Sequence, residues 1–300
     1  MKKIKISIIF LVLVILLVVI VRYFSSVNIP ILEPKGIIAQ KEYDLIVFAL
    51  ALSLVVIIPV FFLLFFFAYR YRENNHKHVK YSPDLRGNKF LEVIWWVIPT
   101  VIILILSVIT WQSSHALDPY KAIASTKKPV QIEVVALDWR WLFIYPKYNV
   151  ASINLMDIPN NTPISLRLTS DAPMNSFWVP ALAGQIYAMP GMSTELHLMA
   201  NYYGNFYGSS ANISGNGFAK MNFIVRSNSV LKYNMWIANL KKSKNTLSLV
   251  DYNKLSKPSL NSSVTYFSKV NKNLYEDIIM KYMAPVTNDK TVMNSSRGSM

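Results

Sequence analysis

Residues 129–146 read PVQIEVVALDWRWLFIYP, and in this stretch the chain changes period. Upstream, apolar residues come in long unbroken runs. From Pro129 onward they alternate with polar ones, and a repeat of two marks half-buried β-strands. Two strands are expected here, joined or bent near Asp138. The pattern recurs in PISLRLTS (163–170), where Ile164, Leu166 and Leu168 alternate with Ser165, Arg167 and Thr169, and in STELHLM (193–199). Turn signals separate these segments at Pro159-Asn160-Asn161, Pro190-Gly191 and Gly215-Asn216-Gly217. Short, punctuated strands of this kind predict an antiparallel β-sandwich over 118–227.

Three apolar segments precede the sandwich. Residues 1–26 carry Lys2, Lys3 and Lys5 before the run Ile6–Val21, the profile of a secretory signal. No small-residue cleavage pattern follows, so a removed signal and a retained anchor both stand. Leu45–Tyr69 and Val93–Trp111 are each apolar enough to cross the hydrocarbon core of a bilayer. Pro59 lies within the former; Trp95, Trp96 and Trp111 lie near the ends of the latter, as interfacial anchors do. A two-helix transmembrane hairpin over 43–113 is expected. Its loop, 70–91, holds Arg70, Arg72, Lys77, Lys80, Arg86 and Lys89, which makes it cytoplasmic by the positive-inside rule and exports the sandwich.

After Ser227 the apolar spacing becomes helical again in SVLKYNMWIANLKK and NKNLYEDIIMKYM, and Asn273 with Glu276 has the pattern of a capping box. A helical extension is expected over 228–285 and a disordered tail over 286–300. The fold class is therefore membrane-anchored α plus all-β.

Composition limits the function. Hydrophobic residues make up 53% and charged residues 16%, a balance shifted toward membrane proteins. The formal charge of +15 is spread over scattered lysines without a nucleic-acid motif, which argues against nucleic acid as a partner. Cysteine is absent, excluding disulfides and thiolate metal sites. His76 and His78 form a His-x-His, but on a basic loop without further ligands. His115 and His197 show no partner in the sequence. Met174, Met189, Met192 and Met199 are read as core filling.

Three ordered stretches then identify a likeness. LDWRWLFIYP (137–146), DAPMNSFWVPALAGQIYAMPG (171–191) and NFYGSSANISGNGFAKM (205–221) follow NKFLEVIWWVIPTVIILILSVITWQSSHALDP (88–119). Over roughly residues 30–285 the set resembles subunit II of the haem-copper terminal oxidases, and more closely that of the cytochrome bo-type ubiquinol oxidases. The resemblance implies a cupredoxin-like sandwich. In cytochrome c-oxidising relatives that sandwich holds a binuclear copper centre. By resemblance, the first ligand His falls on Asn175, the two Cys on Ser210 and Ser214, the second His on Phe218 and the Met on Met221. The acidic residue between the cysteines falls on Asn212.

The chemistry of these residues can be judged without the family. Copper electron-transfer sites need thiolate and imidazole ligands. A hydroxyl is a poor substitute, a phenyl ring is none, and Met221 alone holds no copper. The six positions are read as a degenerate, non-binding copper site, with no metal or cofactor in this chain. The resemblance implies that haems and copper reside in subunit I, that ubiquinol is the electron donor, and that Glu92 lies at the mouth of a proton channel. The plainer reading of Glu92 is a carboxylate favoured at a helix N-terminus. Trp139 and Trp141 match an aromatic pair beside copper in the relatives and are read here as packing residues. Close relatives often carry a lipoprotein cysteine after the signal; RYFSSVNIPILEPKG (22–36) has none.

The expected function is a non-redox subunit II of a proton-pumping, oxygen-reducing ubiquinol oxidase. Its partners are subunit I, the other subunits and membrane lipid, in a bacterial inner membrane with the C-terminal domain periplasmic. The alternatives are a copper-bearing cytochrome c oxidase subunit, which the ligand positions argue against, and an anchored cupredoxin-like assembly or sensor module.

Overall fold

The computed structural model describes residues 29–72, 87–260 and 263–283, together with Ile15, Val18, Val19 and Arg22. Most of segment 1–26, loop residues 73–86 with His76 and His78, and the tail 286–300 lie outside the described residues. Two compact units form, residues 40–121 and the remainder.

Helices α1 (Ile37–Arg70) and α2 (Lys89–Ala116) are the two membrane-spanning candidates. Both exceed the apolar stretches read from sequence, because polar residues continue the helix beyond them. Gln40 donates to Asp44 one turn on at 3.0 Å, and Ser113, Ser114 and His115 close α2. Within the spans, Ser53, Thr100 and Ser107 each donate to the carbonyl four residues back at 2.8 Å, which pairs these hydroxyls within the helix. The Asn88 side chain caps α2 by accepting from Phe90 N and Leu91 N. The apolar flanks of both helices are uncovered by other described residues.

The second unit is a two-sheet sandwich. Its strands are β1 (Val130–Leu137), β2 (Arg140–Tyr145), β3 (Val150–Ile153), β4 (Leu155–Pro159), β5 (Ile164–Ser170), β6 (Asn175–Val179), β7 (Ala183–Ala188), β8 (Thr194–Leu198), β9 (Gly204–Ser210), β10 (Asn222–Asn228) and β11 (Thr265–Phe267). One sheet runs β11-β3-β2-β1-β5-β8, the other β4-β10-β9-β6-β7. The expectation of purely antiparallel strands is corrected: β1 pairs with β5, and β10 with β4, in parallel. Each of these pairs joins strands that are not consecutive in the chain, a crossing that alternation alone does not reveal. The bend near Asp138 is a tight turn between antiparallel β1 and β2.

The C-terminal segment adds α3 (Val230–Leu240), α4 (Leu249–Leu255) and α5 (Leu274–Met283). It is not wholly helical, since β11 extends the first sheet beside β3. Asn273 and Glu276 make no capping box; Glu276 instead accepts from Arg167 at 3.0 Å, and the Asn271 side chain accepts from Asn273 N.

Two apolar layers result. Trp141, Phe143, Phe177 and Phe223 stack in the interior between the sheets, with Phe177 and Phe223 4.9 Å apart. On the far side of the first sheet, Val135, Leu137, Leu142 and Ile144 are covered by Tyr252, Leu274, Tyr275 and Ile278. The central strands β1 and β2 are thus buried on both faces, which is why VVAL and WLFIY break the alternation. Of the methionines expected to fill the core, Met174 and Met192 are exposed, and Met189 and Met199 are half-buried.

One carboxylate fastens the second layer. Asp171 has a fully buried side chain. It accepts from Tyr252 Oη at 2.8 Å, Lys281 Nζ at 2.6 Å and Tyr282 Oη at 2.7 Å. Asp171→Ala would leave the buried Tyr252 hydroxyl unpaired. The expected loss is about 2–3 kcal/mol, with faster amide exchange over 274–283 than over β9 and β10. Hydrogen-exchange mass spectrometry on the full-length protein checks this; unchanged protection of 274–283 would contradict it.

Candidate functional site

The candidate site lies where β6, β9 and the loop from residue 211 to 221 converge. Asn175 opens β6, Ser210 closes β9, and Phe218–Lys220 forms a short 3-10 turn that delivers Met221 to the start of β10. Gly215, at φ 107°, makes the turn that returns the loop.

The six positions singled out from sequence are brought together. Ser210 Oγ donates to Asn175 Oδ1 at 3.0 Å, with the Asn212 carbonyl as a second acceptor at 3.2 Å. Ser176 N donates to Ser210 Oγ at 3.4 Å. Asn175 Nδ2 donates to Pro173 O at 2.7 Å, and Asn212 Nδ2 to Met174 O at 2.9 Å. Ser210 N donates to Met221 O, Met221 N to Phe218 O, and Phe218 N to Gly215 O. The polar groups are therefore spent largely on one another and on the backbone. Ser214 Oγ is buried without a partner among the described residues.

Trp139 closes the loop from the opposite sheet. It sits in the β1–β2 turn at φ 63°, a conformation uncommon for a bulky residue. Its indole N–H donates to Ser214 O at 3.2 Å, and its ring lies against Gly215 and Gly217. A Cβ at Gly217 would stand 2.1 Å from the ring, so only glycine admits Trp139 there. Trp141 points the other way, into the core, with no exposed surface. Met221 is 1% exposed and belongs to the same core cluster. Beside Trp139, the Asp138 carboxyl is held above its usual range by burial and then by the charge of Asp171.

The residues do not fit a binuclear copper centre. Two hydroxyls, two amides and a phenyl group surround a single thioether, and that thioether is committed to the core. Among the described residues there is no group of three His, Cys, Asp or Glu side chains able to hold a metal ion. His115 does have a partner: its Nδ1 lies 2.8 Å from Trp111 O, and its ring lies 4.4 Å from that of Trp111, tilted by 43°.

Glu92 belongs to the hairpin unit. It lies in the first turn of α2, exposed, with its N–H donated to Asn88 O. Negative charge is favourable at this end of a helix. Neither Asp171 nor the contact between Trp139 and Gly217 is evident in the sequence as a pair, although Asp171 heads the DAPMNSFW stretch.

Comparison with known proteins places the chain among relatives. Residues 36–112 match the family described as cytochrome c oxidase subunit II, transmembrane domain; 144–228 match its periplasmic domain, and 241–286 the COX aromatic rich motif. The cytochrome bo(3) ubiquinol oxidase subunit 2 of Pseudomonas putida is 43% identical over 86% of this chain and 82% of its own length. That of Pseudomonas aeruginosa is 44% identical over 85% and 77%. The ubiquinol oxidase subunit 2 of Acetobacter aceti is 42% identical over 92% and 88%.

Gly217→Ala is expected to displace the Trp139 ring and to cost about 1–3 kcal/mol by overpacking. The double variant Gly217→Ala/Trp139→Ala should lose clearly less than the sum of the singles. Thermal unfolding with near-ultraviolet circular dichroism tests this; additive losses would show that ring and glycine do not interact.

Proposed function

This chain belongs to the ubiquinol oxidase subunit 2 family, and we propose on that footing that it docks on subunit I of the oxidase as a scaffold without a redox centre of its own. It is a membrane-anchored subunit of an oxidoreductase complex. The proposal adds the division of labour. Haems and copper reside in subunit I, where ubiquinol delivers its electrons and oxygen is reduced to water. The complex lies in a bacterial inner membrane, with residues 118–285 periplasmic, and it moves protons outward.

The observation that carries this reading is the fate of the copper positions. A subunit that relays electrons from cytochrome c needs metal ligands in the loop between β9 and β10. Here Ser210 and Asn175 satisfy each other, and Trp139 packs against the glycines of the same loop. A quinol dissolved in the membrane needs no such relay. The copper-bearing alternative is not favoured.

Glu92 is proposed as the chain's one direct contribution to turnover, a carboxylate at the cytoplasmic edge of α2 that collects protons for subunit I. A carboxylate at a membrane edge is costly unless solvated or paired, and such groups mark proton pathways.

Affinity purification of the chain from detergent-solubilised membranes tests the assignment. The eluate should carry haem, oxidise ubiquinol and leave reduced cytochrome c untouched. Oxidation of cytochrome c, or an eluate without haem, would overturn it. In the same preparation Glu92→Gln should slow oxygen consumption severalfold while haem content stays at the wild-type level; an unchanged rate removes Glu92 from the proton path.

A further inference from the structure

We propose that a cleft between β10, α3 and β11 binds a short amphiphilic anion, a phosphate or carboxylate group carried on a small apolar body. The cleft encloses about 430 Å³, within the range of small-molecule sites. Its walls follow from the periods of two elements. Along β10 burial alternates, so that Arg226 faces outward while Val225 and Ser227 face in. Along α3, Lys232, Met235, Trp236 and Asn239 recur at helical spacing and share one face. Tyr266 of β11 completes the lining.

The lining is rich in donors, and none of its described residues is acidic. Arg226 commits Nε to Asp157, whose buried carboxylate also accepts from Asn228 at 2.8 Å. That pairing fixes the guanidinium, and its terminal nitrogens remain for a ligand. Lys232 engages the protein through its backbone N–H, which donates to the Ser229 cap. Trp236, 7% exposed, lends its ring to the wall of the cleft. Met235, together with the Trp236 and Tyr266 rings 6.4 Å apart, gives the cleft an apolar side that a bare inorganic ion would leave unused. Charge sets the class of ligand. Arg226 is balanced by Asp157, so Lys232 supplies the surplus positive charge, which suits a single anionic head.

The test uses the full-length chain in neutral detergent, titrated calorimetrically with butyl phosphate, inorganic phosphate and butyl glucoside. Saturable binding of butyl phosphate is expected, at least tenfold tighter than inorganic phosphate, with none for the glucoside. Lys232→Met and Lys232→Glu, both at an exposed position, should each weaken it at least fivefold. Circular dichroism confirms that both variants fold. Equal binding of the three probes, or wild-type affinity in both variants, overturns the site. Nanodiscs separate two sources of the same headgroup chemistry. Competition by phosphatidylglycerol but not phosphatidylcholine supports a lipid headgroup, and butyl phosphate binding unaffected by either supports a free ligand. Binding that is present in the isolated chain but lost in the intact oxidase would assign the cleft to an acidic segment of a partner subunit and overturn the ligand reading.

Discussion

Asp171 carries a charge into the interior of the sandwich unit, and the C-terminal third of the chain is arranged around neutralising it. A buried carboxylate is tolerated only when it is paired and hydrogen-bonded. Its donors, Tyr252, Lys281 and Tyr282, come from α4 and α5, which lie 81 to 111 residues downstream. Once they are drawn in, Leu274, Tyr275 and Ile278 cover the outer face of β1 and β2. Arg167 adds a second fastening, bridging Glu133 and Glu276 beneath the Tyr275 ring. Burial of both faces then makes β1 and β2 a rigid base for the turn between them, and that turn presents Trp139.

The same turn explains how the loop from residue 211 to 221 keeps its shape. A long loop needs something to define its geometry, and here two devices do so. Side-chain hydrogen bonds tie Asn175, Ser210 and Asn212 to one another and to the backbone, and the Trp139 ring occupies the space that Gly215 and Gly217 leave open. Hydrogen bonds and packing hold the shape that coordination would otherwise impose, and they carry no electrons. The loop is closed by these contacts alone.

The sequence disclosed what depends on local periodicity and chemistry. Uninterrupted apolar runs marked α1 and α2, alternation marked β5 and β8, and the likeness to the oxidase subunits pointed to the loop that holds Ser210 and Ser214. What stayed hidden depends on distant partners. β11 spans only Thr265–Phe267, too short for a pattern, and exists because it pairs with β3. The parallel pairing of β1 with β5 requires a crossing that alternation does not encode. Asp171 looks like any loop aspartate until its donors arrive. Met174 and Met192 are as apolar as core residues, yet they stand on exposed turns where composition alone misplaces them.

α1 and α2 present apolar flanks of membrane-spanning length, and the sandwich closes its loop by hydrogen bonds and packing. The most direct measurement is a copper titration of the purified full-length chain under reducing and oxidising conditions, followed by near-infrared absorption and metal analysis after dialysis. The account predicts no stoichiometric copper and no near-infrared band. Retention of stoichiometric copper with such a band would contradict it.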